Sequence, residues 1–210
     1  MEFSFKTINS IPVLYTDEFY NEEELDAMFY EAEKIRQLDL LTSDSTSGAT
    51  IQVKNKDTGE IKTEGLSNNQ SVWFDKIYAG EKRLSDTLRI VSKIYDGKLI
   101  DYLASLHPYF ITMRQNKRTG TLLSYYDESE HYKNHRDSSF VTVLTWLYKE
   151  PKAFKGGEFV IENDLKIECV RGRVVFMPSY ALHSVVPVVM PKDKIGKGLG
   201  RYTVTQFVEN

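Results

Sequence analysis

His135-Arg136-Asp137 constrains this chain more than any other feature, because those residues ask for a particular backbone. In an extended strand the side chains at i and i+2 share a face, so His135 and Asp137 can reach one ion while Arg136 points away. Two imidazoles and one carboxylate form a facial set on a divalent metal and leave the opposite coordination positions open. The second imidazole must arrive from a strand distant in sequence. His183 is the candidate, since it opens a second β-like stretch, His183-Ser-Val-Val-Pro-Val-Val189. A fold that joins the two segments has to pair strands that are far apart along the chain.

The second half of the sequence supplies such strands. Alternating or continuous apolar runs predict strands over 109–114, 121–126, 140–148, 158–161, 165–170, 174–177, 183–189 and 202–208. Gly, Pro, Asn and Asp separate them, with Arg118-Thr-Gly120 and Glu162-Asn-Asp164 read as turns. Short strands punctuated in this way predict a mainly β fold with flanking helices (α+β) around a jelly-roll, cupin-like core, also described as a double-stranded β-helix. Ligands on its inner faces lie in a dry pocket, where a lower dielectric strengthens their electrostatics.

The chain reads as one domain, 1–210, with a scaffold over 1–108 and the jelly-roll core over 109–210. In the scaffold, Ile11 to Tyr15 predicts a strand. Thr16-Asp17 ahead of Asn21-Glu-Glu-Glu-Leu25 supplies capping and acidic first-turn residues for a helix to about Leu38, packed through Leu25, Met28, Phe29, Ala32 and Ile35. A second helical segment is predicted from Glu81 to Leu106, ended by His107-Pro108, which makes His107 a helix-end residue. Residues 42–70 are polar, with Asn55-Lys-Asp-Thr-Gly59 as a hairpin turn. They read either as a surface excursion or as a lid over the metal site, anchored by Trp73 and Phe74.

The text around the His-x-Asp triplet narrows the chemistry. Tyr126-Asp-Glu-Ser-Glu-His-Tyr-Lys-Asn-His135-Arg-Asp137 is followed by the apolar run Phe140 to Tyr148 and then by Gly156-Gly-Glu-Phe159. Arg171-Gly-Arg-Val-Val-Phe-Met-Pro178, His183-Ser-Val-Val-Pro187 and Arg201-Tyr-Thr203 complete the series. In order and content, from about Leu122 to Val208, this resembles the prolyl 4-hydroxylase-like branch of the 2-oxoglutarate and iron(II)-dependent dioxygenases. The resemblance implies His135, Asp137 and His183 as iron ligands. It implies Arg201 as the partner of the distal carboxylate of 2-oxoglutarate, supported by Thr203 on the same strand face and by Tyr126. Tyr125 competes with Tyr126, because a one-residue slip exchanges the strand's two faces.

Two departures from the family pattern stand out. The stretch from His183 to Arg201 is long and holds Met190-Pro-Lys-Asp-Lys-Ile-Gly-Lys-Gly-Leu-Gly200, which reads as an enlarged Gly-rich turn; otherwise Lys192 or Lys194 would be the anion partner. Ser129 stands where relatives carry glycine. His131 reads as a surface or pocket-rim residue rather than a ligand, and Gly156-Gly157 as a point of close backbone approach.

The implied activity is hydroxylation with release of succinate and CO2, using Fe(II), 2-oxoglutarate and O2, with ascorbate as a supporting reductant. The resemblance points to a peptidyl proline or another protein side chain as substrate, with free amino acids close behind. Trp146, Arg136 and the lid candidate are expected to line that pocket. A non-oxidative cupin-like metal-binding or interaction protein is the reading from another class; for it Arg201 and Thr203 would be incidental. The net charge of −3 argues against tight nucleic-acid binding, and with it against a nucleic-acid demethylase. No apolar run approaches a membrane span and no secretory segment opens the chain, so the expected location is the cytoplasm. Cys169, the single cysteine, reads as a packed thiol in an alternating strand.

Overall fold

A computed structural model describes residues 1–43, 50–56, 58–116 and 118–209. The chain opens with a hairpin, β1 (Ser4–Ile8) and β2 (Ile11–Thr16). Helix α1 (Glu22–Gln37) follows, and its cap falls to Asn21 rather than to Thr16-Asp17. The Asn21 side chain accepts from the Glu24 N–H while the Glu24 carboxylate accepts from the Asn21 N–H, so two otherwise orphaned donors are satisfied at once. A hairpin of β3 (Thr50–Lys54) and β4 (Ile61–Gly65) leads to β5 (Ser67–Asn68), β6 (Gln70–Trp73) and α2 (Phe74–Ile77). At its tip the Asn55 N–H donates to Glu60 O and Gly59 N–H to Asn55 O; Asp57 of the expected turn lies outside the described residues, as do 44–49.

The single helical segment expected over 81–106 is broken into α3 (Asp86–Val91) and α4 (Gly97–Leu106), joined by a 3-10 turn. Each piece has its own cap: Ser85 Oγ accepts from Leu88 N, and Asp96 Oδ1 accepts from Lys98 N and Leu99 N. The strand expected over 109–114 is instead a 3-10 helix, Pro108–Gln115. Pro108 pre-sets the first turn, the His107 ring accepts from Tyr109 N, and Phe110 and Met113 are buried at a spacing of three that a strand could not bury on one face.

The remaining strands are β7 (Arg118–Tyr126), β8 (His131–His135), β9 (Val141–Leu147), β10 (Lys155–Gly156), β11 (Phe159–Ile161), β12 (Leu165–Ile167), β13 (Val174–Pro178), β14 (His183–Val185), β15 (Val188–Val189) and β16 (Arg201–Glu209). Arg118-Thr-Gly120 is therefore strand, not turn, paired with Val208 and its neighbours on β16. Two antiparallel sheets face each other as a jelly roll: a seven-stranded sheet in the order β1-β2-β13-β9-β16-β7-β6 and a five-stranded sheet in the order β12-β11-β14-β8-β5. Strands β1, β2, β5 and β6 come from the first third of the chain, so that stretch completes both sheets as well as buttressing them.

Strand alternation sorts the core into two layers. On the outer face of the large sheet, Leu123, Val143, Val174, Phe176 and Val204 pack against α1, α3 and α4. Met28, Ile94, Leu103 and Phe176 are fully buried there, and burying a side chain of this size contributes about 1.5–3 kcal/mol. On the inner face, Val13, Leu144, Trp146 and Met177 meet Phe159, Ile161 and Val185 of the small sheet. The interval between the sheets is also where the polar candidates converge.

Candidate metal and cosubstrate site

His135 ends β8 and His183 opens β14, and the two residues pair directly across these strands. Each ring has its Nδ1 at 2.9 Å from a backbone carbonyl, Lys133 O for His135 and Ala181 O for His183. A carbonyl only accepts, so Nδ1 carries the hydrogen and Nε2 of both rings is left with a lone pair turned inward. Asp137 Oδ2 lies 3.5 Å from His183 Nε2, and Oδ1 lies 3.8 Å from His135 Nε2. The ligand-capable atoms of all three residues fall within 4.8 Å of one another.

Asp137 does not share a strand with His135 as the sequence pattern suggested. It lies just past β8, where its N–H donates to Ser179 O at 2.9 Å and its Oδ2 accepts from Thr142 Oγ1 at 2.7 Å. These two bonds aim the carboxylate as a ladder position would. Burial sets the charge state: His183 is pushed down to about 4 by desolvation, and His135 to about 4 by desolvation and by the neighbouring His183. Burial also raises the Asp137 carboxyl. Two neutral imidazoles and one poorly solvated carboxylate match what a divalent cation requires of its ligands.

Arg201 begins β16 on the inner face. Only 1% of it is exposed, and among the described residues its Nε and Nη1 find no hydrogen-bond partner; neither does the buried Thr203 Oγ1 on the same face. The guanidinium carbon stands 4.8 Å from the Tyr126 ring centroid and 5.6 Å from that of Trp146. A buried cation flanked by aromatic faces, with donors left open, fits the carboxylate of a bound anion. Of the two tyrosines, Tyr126 is the inward one. Tyr125 points to the outer layer, where its hydroxyl donates to Asp127 Oδ2 and accepts from Gly200 N.

The long Met190 to Gly200 connection is a turn, as its glycines suggested, pinned by Gly196 N donating to Asp127 Oδ2. Neither Lys192 nor Lys194 lines the cavity that holds Arg201. Ser129 adopts φ +62°, the left-handed region that glycine enters freely. His131 lies outside the ligand cluster, with its Nδ1 at 3.1 Å from Ser129 O. Gly157 has φ +70° and sits against the Arg201 stem. Cys169 is buried, and burial pushes its thiol up, away from the reactive thiolate.

One cavity of about 520 Å³ brings together Tyr126, His135, Asp137, His183, Arg201 and Thr203. Arg136 lines its rim, as expected, donating to the Tyr180 carbonyl. Trp146 does not line it; the indole is fully buried and packs behind Arg201. The sequence reading missed Thr142 and the outer cavity residues Thr205, Phe207 and Glu209. Extending the i+2 alternation from Arg201 and Thr203 along β16 would have found the last three.

The fold and site together define a jelly roll with an inward His135, Asp137 and His183 cluster that could hold a metal, beside the buried Arg201. Residues 120–209 match the model of the 2OG-Fe(II) oxygenase superfamily, a stretch that opens in β7, closes on β16 and contains every candidate ligand. That match agrees with the resemblance read from the sequence at the level of the superfamily, over the same stretch of chain, and that superfamily implies iron(II), 2-oxoglutarate and dioxygen. In fold, the chain is similar to a Pseudomonas putida prolyl-4-hydroxylase (TM-score 0.58, 15% identity, covering 94% of this chain and 92% of that one). It is also similar to a viral collagen prolyl hydroxylase from Paramecium Bursaria Chlorella virus-1 in complex with 2OG (0.52, 14%, 93% and 94%). A third likeness is to a prolyl 4-hydroxylase from Phytophthora capsici (0.57, 14%, 94% and 58%). No curated protein matches the chain in sequence. Among the described residues no helix is long and apolar enough to cross a membrane.

Proposed function

We propose that this protein is an iron(II)- and 2-oxoglutarate-dependent dioxygenase that hydroxylates a carbon of a protein or amino-acid side chain, with ascorbate as a supporting reductant. Peptidyl proline is the target that the names of the structural neighbours offer. The observation that carries the reading is the pairing of two incomplete sites in one cavity: a ligand triad, and unpartnered donors on Arg201 and Thr203. A protein that only bound metal would have no use for the second.

When bound, the metal with its cosubstrates supplies the oxidation: one oxygen atom of O2 converts a substrate C–H to C–OH, and the other enters succinate as 2-oxoglutarate loses CO2. The chain's own part is positional. His135, Asp137 and His183 hold the metal, and Thr142 fixes the carboxylate of Asp137 through its hydroxyl. Arg201 and Thr203 bind the far carboxylate of 2-oxoglutarate, while Tyr126 shields one face of the guanidinium. The chain works as one catalytic unit, with strands from its first third closing the sheets. Thr50 and Leu66 line the cavity and Glu64 pairs with Lys133 of β8 at 3.3 Å, which supports a lid role for the β3–β4 hairpin over a purely superficial one.

The test is anaerobic titration of the iron(II)-loaded protein with 2-oxoglutarate, followed by the visible charge-transfer band of a keto acid chelated to iron. The expected result is a band that disappears in His135→Ala. Iron bound without any band would reject the proposal in favour of simple metal binding.

A further inference from the structure

The cavity continues past the ligand triad along the inner face of β16. Thr205, Phe207 and Glu209 follow Arg201 and Thr203 at every second position and line the same space. Phe207 is in register with Thr142, the residue whose hydroxyl donates to Asp137. Phe207 therefore stands level with the triad, and Glu209 lies about 7 Å beyond it, on the side away from Arg201. Trp73 completes the arrangement, its ring centroid 5.5 Å from that of Phe207. Gly120 makes room for that indole, since a Cβ there would come within 2.8 Å of Trp73 Cζ3.

Two aromatic rings and a carboxylate, in that order outward from the reacting centre, recognise a particular shape. Ring faces pack methylenes and attract a cation through their quadrupole, and a carboxylate receives that cation in a charge-assisted hydrogen bond. We propose that the outer cavity is a specificity site for a cationic aliphatic side chain, lysine- or arginine-like, whose stem crosses Phe207 and Trp73 and whose charged head meets Glu209. This rests on the hydroxylase reading above and names its substrate class. A four-carbon lysine stem spans about the step from the triad to Glu209, so its methylenes present C–H bonds to the metal. The charge layout agrees: the deep end of the cavity holds Arg201 for an anionic cosubstrate, the end of β16 holds Glu209, and the rim cation Arg136 is turned to Glu162 at 3.9 Å. Arg118 Nε stands 3.7 Å from Glu209 Oε2, but Arg118 is 81% exposed in its side chain, and an exposed pair of that length is readily exchanged for a substrate cation. Proline, the residue in the neighbours' names, offers Glu209 no charge.

Isothermal titration of the full chain, loaded anaerobically with iron(II) and 2-oxoglutarate, tests this with acetyl-Gly-X-Gly-amide peptides where X is Lys, norleucine or Pro. The Lys peptide is expected to bind roughly ten-fold or more tightly than its neutral isostere norleucine, and Glu209→Gln to remove that difference. Glu209→Lys should reverse it, with near-UV circular dichroism from the buried Trp146 showing an intact fold. A Lys peptide that binds no better than norleucine or Pro, or a preference that survives Glu209→Gln, overturns the proposal. Free L-lysine binding as tightly as the peptide would support the same site with an amino acid as the source of the cation. Repeating the series without iron and 2-oxoglutarate separates the two readings, because recognition at Glu209 is then read even if no charge-transfer band forms.

Discussion

His183 on β14 and His135 on β8 are directly opposed in antiparallel register, with ring centroids 4.1 Å apart. The register then shifts, so that Val185 pairs with Tyr132, and the extra residue on β8 lets the Tyr132 ring stack on His135 at 3.6 Å. An irregularity of this kind re-aims side chains at the rim of a sheet. Strand pairing thus holds the two imidazoles together, and stacking fixes the orientation of one.

His183→Ala is accordingly expected to remove iron binding while the protein stays folded. The cavity left behind is lined partly by polar groups, and the ring's hydrogen bond to Ala181 O is local. Iron content after anaerobic gel filtration checks this, and stoichiometric iron in the variant would remove His183 from the ligand set. Asp137→Ala should behave likewise, with loss of succinate formation in both.

Thr142→Val tests the support of the carboxylate. The hydroxyl donates to Asp137 Oδ2 at 2.7 Å and lies 2.9 Å from Ser179 Oγ. Losing an outer partner of this kind typically weakens metal binding about 10–100-fold, for about 1 kcal/mol of stability. Competition with a chelator of known affinity measures the first quantity and urea unfolding the second. Unchanged iron affinity would mean that Asp137 is held by its backbone alone.

What could be read in the sequence depended on how local its cause is. Arg201-Tyr-Thr203 was legible because alternation along one strand fixes which residues share a face, whereas His135, Asp137 and His183 come together through the β8–β14 pairing and the Ser179 and Thr142 bonds to Asp137, not through the shared strand that the His-x-Asp spacing suggested. Capping was only half legible: the helix over 22–37 was clear, but Asn21 rather than Thr16-Asp17 starts it, since the reciprocal bond with Glu24 depends on a single-residue offset. The segment 109–114 was misread because its apolar residues admit either period, and Pro108 with the His107 ring decides for a 3-10 turn. Arg118-Thr-Gly120 looked like a turn because glycine usually marks one, whereas here it clears space for Trp73, a contact forty-odd residues away that no local rule reveals. Thr142 was missed for the same reason.

Gly157→Ala probes the packing behind Arg201. The residue has φ +70°, and a Cβ would stand 2.9 Å from Arg201 Cδ and 3.3 Å from Val188 Cγ2. Left-handed strain alone costs about 1 kcal/mol or more, and the Arg201 stem must shift to relieve the clash. The expected outcome is weaker 2-oxoglutarate binding in the charge-transfer titration with iron affinity unchanged. A variant that binds the keto acid normally would show that the guanidinium does not need this wall.

Arg201→Met separates the cost of a buried cation from its use. The guanidinium is 1% exposed with Nε and Nη1 unpartnered among the described residues, and the Tyr126 and Trp146 rings with the neighbouring Tyr126 hydroxyl and Cys169 thiol offset its desolvation in part. Replacing an incompletely compensated buried charge by an apolar side chain of similar length removes that penalty, so the ligand-free variant is expected to melt above the unmodified protein. In the iron-loaded state the order reverses on adding cosubstrate. At a hundred times its dissociation constant, 2-oxoglutarate should stabilise the unmodified protein by about 2.7 kcal/mol, on the order of 5–10 °C for a domain of this size. The variant should show little of that shift, because methionine offers the distal carboxylate no donor. Differential scanning fluorimetry with and without 2-oxoglutarate reads both effects in one experiment. An equal ligand-induced shift in the two proteins would mean that the carboxylate is held elsewhere. A variant less stable than its parent in the absence of ligand would mean instead that the aromatic flanks already satisfy the guanidinium.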